Sequence, residues 1–524
     1  MKKIAAAICL ALLLLLTVFA VSAEGDAVSL DAVTIGEDGK TVTAHISLTE
    51  EFISRHQALY VFRVSADRGS SLTAMTPIAE QKTENRQLTV TVPYDADDPS
   101  AALYGYVLGC RDDGGVYRPV SRVVYPENFA EFAPHTRTYP TVTSKKGLQV
   151  QLLTDAQLLG VKHTVVNAFF NELIVEGGEK AVSFVYGNET YYLDAAALSA
   201  LDYRIRSLSD AGIHIYLNYL LAYDPEASSE LYYPEAEGDA QALYAPNVSS
   251  SEGIRRYAAV MHFLASRYSR PDGAYGFCGS YILGYEVNRA AERHRTGMSR
   301  LSDFAEAYAV LLRTADTAVR SAYGNGRVFV SLSHHWYTPE EEAEPALFGA
   351  KELLDELAVR CPDVPFGVSL NPYPSELSMT EYWKDGKATD SLETPFLTVK
   401  NLSVLTEYLK TEAMLYQGKP RTAMVGEFGL SGKPGEAEAL QAAGYLLAYS
   451  TVCRNEGIES FIWHRHVDHA GEQGLYYGLY ASSDLLLEPT AKKSFTPSLR
   501  RWTLTVKRCL RSTVRSFPRR CAAP

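Results

Sequence analysis

Residues able to do chemistry gather at the ends of short apolar runs in the second half of the chain. Gly284-Tyr285-Glu286-Val287-Asn288 closes one run and Gly426-Glu427-Phe428-Gly429 closes another. Ser333-His334-His335-Trp336, Asn371-Pro372-Tyr373-Pro374 and Trp463-His464 close three more. Two carboxylates in one pocket can divide acid and nucleophilic work, provided that their surroundings hold one protonated and the other ionised. A single glutamate after a strand could as well be a surface or helix-start carboxylate. Two of them, joined by imidazoles and aromatic rings, do not suit a purely structural end.

What must position these groups is an alternation of runs and helices. Apolar β runs are expected at 148–153, 165–170, 213–217, 281–285, 328–332, 366–370, 422–425 and 460–463. Amphipathic helices are expected at 195–211, 254–268, 301–323, 346–359, 404–415 and 436–456. Strands alternating with helices imply a parallel sheet, and eight such units point to an α/β (β/α)8 TIM barrel over 147–490. In that barrel the groups past the C-terminal strand ends share one rim, where active sites lie. An open doubly wound sheet is the alternative, but no Gly-rich phosphate turn follows any run.

Ahead of the barrel, residues 26–128 alternate apolar and polar positions at 41–48, 58–64, 88–92 and 103–108, with turn residues between. This spacing indicates a small all-β, Ig-like sandwich. It is expected to brace the barrel, with 129–146 as a linker.

Strand order, the Gly426-Glu427-Phe428-Gly429 motif and the positions of Tyr373 and Trp463 resemble clan A of the retaining glycoside hydrolases, over 148 to about 480. The closest likeness is to a secreted bacterial, glycosidase-like branch, whose substrate does not come with the resemblance. By that resemblance Glu286 is the acid/base, Glu427 the nucleophile, Tyr373 a hydrogen-bond donor to the nucleophile, and Trp463 the floor under a sugar. Tyr285, Asn288, His335, Trp336, Asn371 and His464 complete the expected substrate contacts. The clan usually has Asn just before the acid/base. Here Tyr285 stands there, and Asn288 follows two residues after the Glu. The implied activity is retaining hydrolysis of a glycan or glycoside. A non-catalytic glycan-binding barrel is the alternative.

His464-Arg465-His466-Val467-Asp468-His469 also matches the H-x-H-x-D-H pattern of zinc hydrolases. No His follows His469 to complete that ligand set, and adjacent His334 and His335 on a strand would face opposite ways. No metal and no cofactor are therefore expected.

Composition agrees with a globular protein. The chain has 524 residues, 46% of them apolar and 21% charged, with a net charge of −12. Ala491 to Pro524 holds ten Lys or Arg and no Asp or Glu, so of the net −12 the chain upstream carries −22. An acidic body disfavours nucleic-acid and anionic-membrane partners. Lys2-Lys3, an apolar stretch to Phe19 and Val21-Ser22-Ala23 read as a signal peptide over 1–23, cleaved near Ala23, with no membrane association afterwards. Cys110, Cys278, Cys361 and Cys453 are isolated and read as buried thiols. Residues 491–524 form an atypical basic tail, which from about Phe495 is expected to lie outside the barrel's packing.

Overall fold

The computed structural model describes residues 27–236, 238–337, 345–482 and 489–493. The expected signal peptide, and the basic tail from 494 onward, lie outside these residues.

Strands β1 (Val28–Ile35), β2 (Thr41–Leu48) and β5 (Gln87–Pro93) form one antiparallel sheet in the order β1-β2-β5. A second runs β4-β3-β6-β7, from β3 (Ala58–Ser65), β4 (Ala79–Lys82), β6 (Tyr104–Arg111) and β7 (Tyr117–Pro119). In β2 every second residue is buried, and Val33, Val42, Val90, Leu59 and Leu108 from both sheets share one core. Two sheets that each bury one face against the other make a sandwich. It docks on the outside of the second unit. Arg313 lies 4.1 Å over the ring of Tyr125, and Arg320 lies 5.1 Å over that of Phe129. Asp67 accepts from Ser251 at the start of helix Ser251–Tyr268.

The second unit is a closed barrel of eight parallel strands. They are β8 (Lys146–Leu148), β9 (His163–Phe169), β13 (His214–Leu220), β14 (Ser280–Leu283), β15 (Arg327–Ser333), β16 (Gly367–Asn371), β17 (Ala423–Phe428) and β18 (Ile458–Trp463), and β18 pairs back onto β8. Strands covered on both faces read as unbroken apolar runs, and all seven residues of β13 are buried. Inside the barrel Val165, Tyr216, Ile282, Phe329, Met424 and Ile462 pack together, so the centre is filled rather than open. Helices Ala195–Asp210, Ser251–Tyr268, Leu301–Ala322, Ala350–Arg360 and Glu438–Arg454 belong to the outer layer. Asp194 caps the first of these by accepting from the N–H groups of Ala196 and Ala197.

The structure departs from the sequence expectation at four places. The first barrel strand ends at Leu148, and Leu153–Leu158 is helical, because beyond Leu148 the chain leaves the ladder. Between β9 and the helix at 195, the strands β10 (Ile174–Val175), β11 (Ala181–Tyr186) and β12 (Glu189–Asp194) form an unanticipated small sheet. The helix expected at 404–415 stops at Tyr408 and resumes as a 3-10 turn, Glu412–Met414. Past the barrel, β19 (Tyr480–Ser482) pairs with β20 (Pro489–Lys492), and Lys493 is buried against Asp468. Cys110, Cys278 and Cys361 are buried, and Cys453 is half-buried.

Candidate active site

Strand β14 stops at Leu283, two residues before the expected end, and the chain then turns sharply. Gly284 has φ +89° and Glu286 φ +47°. The first is natural for glycine. The second places a side chain in the left-handed region at a cost of about 1–2 kcal/mol. The turn is pinned to the neighbouring strand, since the N–H of Glu286 donates to Ser331 Oγ at 3.0 Å and that of Val287 to the Ser331 carbonyl at 2.9 Å. The Glu286 carboxylate, only 6% exposed, accepts from Asn371 Nδ2 at 3.2 Å and pairs with Arg289 at 3.1 Å. Its pKa is raised. Burial is the leading cause, Arg289 opposes it, and the charge of Glu427 adds to it.

Glu427 lies on β17 and is held differently. Its Oε1 accepts from the hydroxyls of Tyr285 at 2.8 Å and Tyr373 at 3.0 Å, and its Oε2 from Gln149 Nε2 at 2.8 Å. Three donors thus converge on this one carboxylate. Burial, then the Glu427 charge, raises the pKa of both phenols well above the ordinary value, so they remain donors. The glycines flanking this motif are there for space. A Cβ on Gly426 would run into Ser369 Oγ and crowd Asn371, and one on Gly429 would meet the His464 carbonyl. Close approach of β16 and of the loop after β18 requires both.

His464 follows β18. Its Nδ1 lies 2.6 Å from Gln149 Oε1 and 3.6 Å from Glu427 Oε2, and its Nε2 lies 3.0 Å from Glu472 Oε1. Arg465 pairs with the same Glu472 oxygen at 2.8 Å. Burial lowers the pKa of His464, but the Glu427 and Glu472 carboxylates outweigh it and the net direction is upward. Burial alone would raise that of Glu472, and His464 and Arg465 instead hold it down at about 2.

Of the residues singled out in the sequence, Glu286 and Asn371 form one hydrogen-bonded pair, and Glu427, Tyr285, Tyr373 and, through Gln149, His464 form a second group whose charge is felt at Glu286. Others are engaged elsewhere. Asn288 is fully buried and donates to Ser333 Oγ and to the carbonyls of His335 and Phe348, while its Oδ1 accepts from the N–H of Ser333. It ties loops together and is not free to read a substrate. Trp336 is also fully buried, with its indole N–H donated to the Leu392 carbonyl and its ring against Tyr408. Trp463 is 1% exposed, packed against Tyr445 and Phe428 and donating to the Tyr477 carbonyl, so it forms a wall behind the site and not an open floor. His335 is half-buried against His334 and Phe396, and burial, then the charges of His334 and Arg289, lowers its pKa to about 3.

Gln149, Glu472 and Arg289 are participants that sequence reasoning did not identify. Gln149 lies just past the first barrel strand, a position that could have drawn attention to it.

The histidines of the zinc-like motif diverge. His466 Nε2 faces Asp155 at 3.2 Å, and His469 Nδ1 accepts from the N–H of Gly471. Among the described residues no group of three or more His, Cys, Asp or Glu side chains could hold a metal ion.

Several solved structures are similar. A family 39 glycoside hydrolase from Bacteroides cellulosilyticus WH2 is 12% identical with a TM-score of 0.46, over 91% of this chain and 79% of that one. A family 1 β-glucosidase from Thermotoga maritima is 12% identical with a TM-score of 0.41, over 68% of this chain and 85% of that one. An exo-β-1,4-mannosidase from Opitutaceae bacterium strain TAV5 is 16% identical with a TM-score of 0.40, over 68% and 56%. The barrel itself stands on its own backbone pairing, independent of these likenesses. No curated protein matches the sequence. The model of a family of unknown function, DUF5722, matches residues 138–497.

Proposed function

The chain belongs to DUF5722, a family that brings no activity with it, and from the site itself we propose that it is a secreted retaining glycoside hydrolase. Glu286 is the acid/base and Glu427 the nucleophile. In the first step a Glu427 oxygen bonds to the anomeric carbon while the glycosidic C–O bond breaks, and the Glu286 proton passes to the leaving oxygen. In the second, water attacks the anomeric carbon and gives its proton to Glu286, and the Glu427 carboxylate departs. Carbohydrate is the substrate class, and no cofactor takes part.

The observation that carries this reading is the unlike treatment of the two carboxylates. Glu427 receives three hydrogen bonds, whereas Glu286 is buried with its pKa raised. That division is what acid and nucleophile need. The test is hydrolysis of a panel of aryl glycosides, with the anomeric form of the first product followed by NMR and a chelator added in a parallel series. Retention of configuration that persists with chelator supports the proposal. Inversion, or loss of activity on chelation, overturns it.

A second reading has its own support. Arg289 on Glu286 stabilises the anion that a general acid must avoid, and Trp463 has no open face. A glycan-binding barrel without turnover would bind oligosaccharides and hydrolyse none of the panel.

A further inference from the structure

The link between Glu472 and Glu427 runs through a single ring. Gln149 gives its Nε2 hydrogen to Glu427 Oε2, so the oxygen of the same amide is what faces His464 Nδ1 at 2.6 Å. Turning the amide round would set its oxygen against the Glu427 carboxylate, acceptor against acceptor. The other ring nitrogen faces a Glu472 oxygen at 3.0 Å. A neutral imidazole has one N–H, yet both nitrogens here face acceptors, which only the doubly protonated ring satisfies. The groups around that ring are Glu427 from β17, Gln149 after β8, and Arg465, Glu472 and Tyr477 from the segment after β18. Two carboxylates there outnumber the one guanidinium.

We infer that Glu472 is a positioning residue, which keeps the His464 ring doubly protonated so that a cation stands beside the Glu427 carboxylate. Within the glycosidase reading, on which this role rests, the cation favours the anionic nucleophile in the first step. It also favours departure of the same carboxylate in the second. Glu472 touches no reacting atom and acts only through His464.

The experiment uses the full chain labelled with 15N-histidine, with the His464 ring assigned by its loss in His464→Gln and titrated by long-range proton–nitrogen correlation. Both ring nitrogens of the wild type should carry protons at neutral pH. Glu472→Gln should lower the midpoint by about one to three units, the scale for losing an adjacent opposite charge. The alkaline limb of kcat/KM on an aryl glycoside should move down with it, which a merely structural role would not produce. A wild-type midpoint at or below the ordinary 6.5 overturns the inference even if the variant fails to fold. So does a midpoint that Glu472→Gln leaves unchanged. A high midpoint in a protein that hydrolyses nothing would sink the glycosidase reading and leave the Glu472–His464 relation standing.

Discussion

Across the barrel mouth the hydroxyl of Tyr285 donates to Oε1 of Glu427 at 2.8 Å. The residue beside one carboxylate thus serves the other. A phenol at this position reaches where the expected asparagine would not, and it is committed to Glu427 before any substrate arrives. Tyr285→Phe removes a hydrogen bond to a charged group, worth about 1.5–3 kcal/mol. That corresponds to a loss of about tenfold to a hundredfold in kcat/KM. An unchanged kcat/KM would show that the hydroxyl does nothing for that carboxylate.

Glu286→Gln should slow hydrolysis of substrates with poor leaving groups by about 10²–10⁴, and slow the first step less for good ones, which need little protonation. Glu427→Gln should abolish turnover of both classes and leave sugar binding largely intact. In a ligand-bound crystal structure the two carboxylates should lie about 5–5.5 Å apart, the spacing of retaining enzymes. Unchanged rates in both variants would remove the pair from the chemistry.

Asn288→Ala should act on stability. Its partners are Ser333 at the end of β15 and His335 and Phe348 beyond that strand, and leaving a buried polar group unsatisfied costs about 1–3 kcal/mol. The urea midpoint should fall with the slope unchanged. A variant of unaltered stability and raised KM would return Asn288 to the substrate.

Folding stability should depend on Glu472 in a definite pH window. Its pKa is depressed from 4.5 to about 2, so the stability it contributes is full above 4.5 and is lost as pH falls toward 2. His464 has the opposite sign. Its raised value contributes below the ordinary 6.5 and fades as pH rises through the folded midpoint. Melting curves of wild type and Glu472→Gln should therefore converge at low pH and separate between these limits. Parallel curves at every pH would contradict the ion pair.

The eight barrel strands were legible because buried parallel strands are written as short apolar runs, and those runs survive without any knowledge of partners. Glu286 and Glu427 could be found because acids directly after such runs are conspicuous. Trp463 ends β18 and is covered by Tyr445 and Phe428, rings that strand order does not reveal, whereas Trp336 and Asn288 were misplaced for another reason. Residue order gives the end of a strand but not the turn after it, and here one turn carries Trp336 inward behind the rim. Glu472 carries no signal of its own, and Gln149 only its place just past the first barrel strand. An amide and a loop carboxylate acquire meaning only from what faces them, across a closure between β18 and β8 that joins distant parts of the chain. The small sheet of β10, β11 and β12 was missed because its residues are mostly half-buried and alternate weakly.

The left-handed backbone at Glu286 sets two kinds of selection against each other. Asparagine and glycine occupy φ +47° more readily than glutamate does. A library at this position screened by heat alone should drift to Asn or Gly, with Glu286→Asn gaining up to about 1 kcal/mol in spite of the lost pairing with Arg289. The same library screened for hydrolysis should hold glutamate. Where the two screens part company at one residue, folding cannot be what keeps it there.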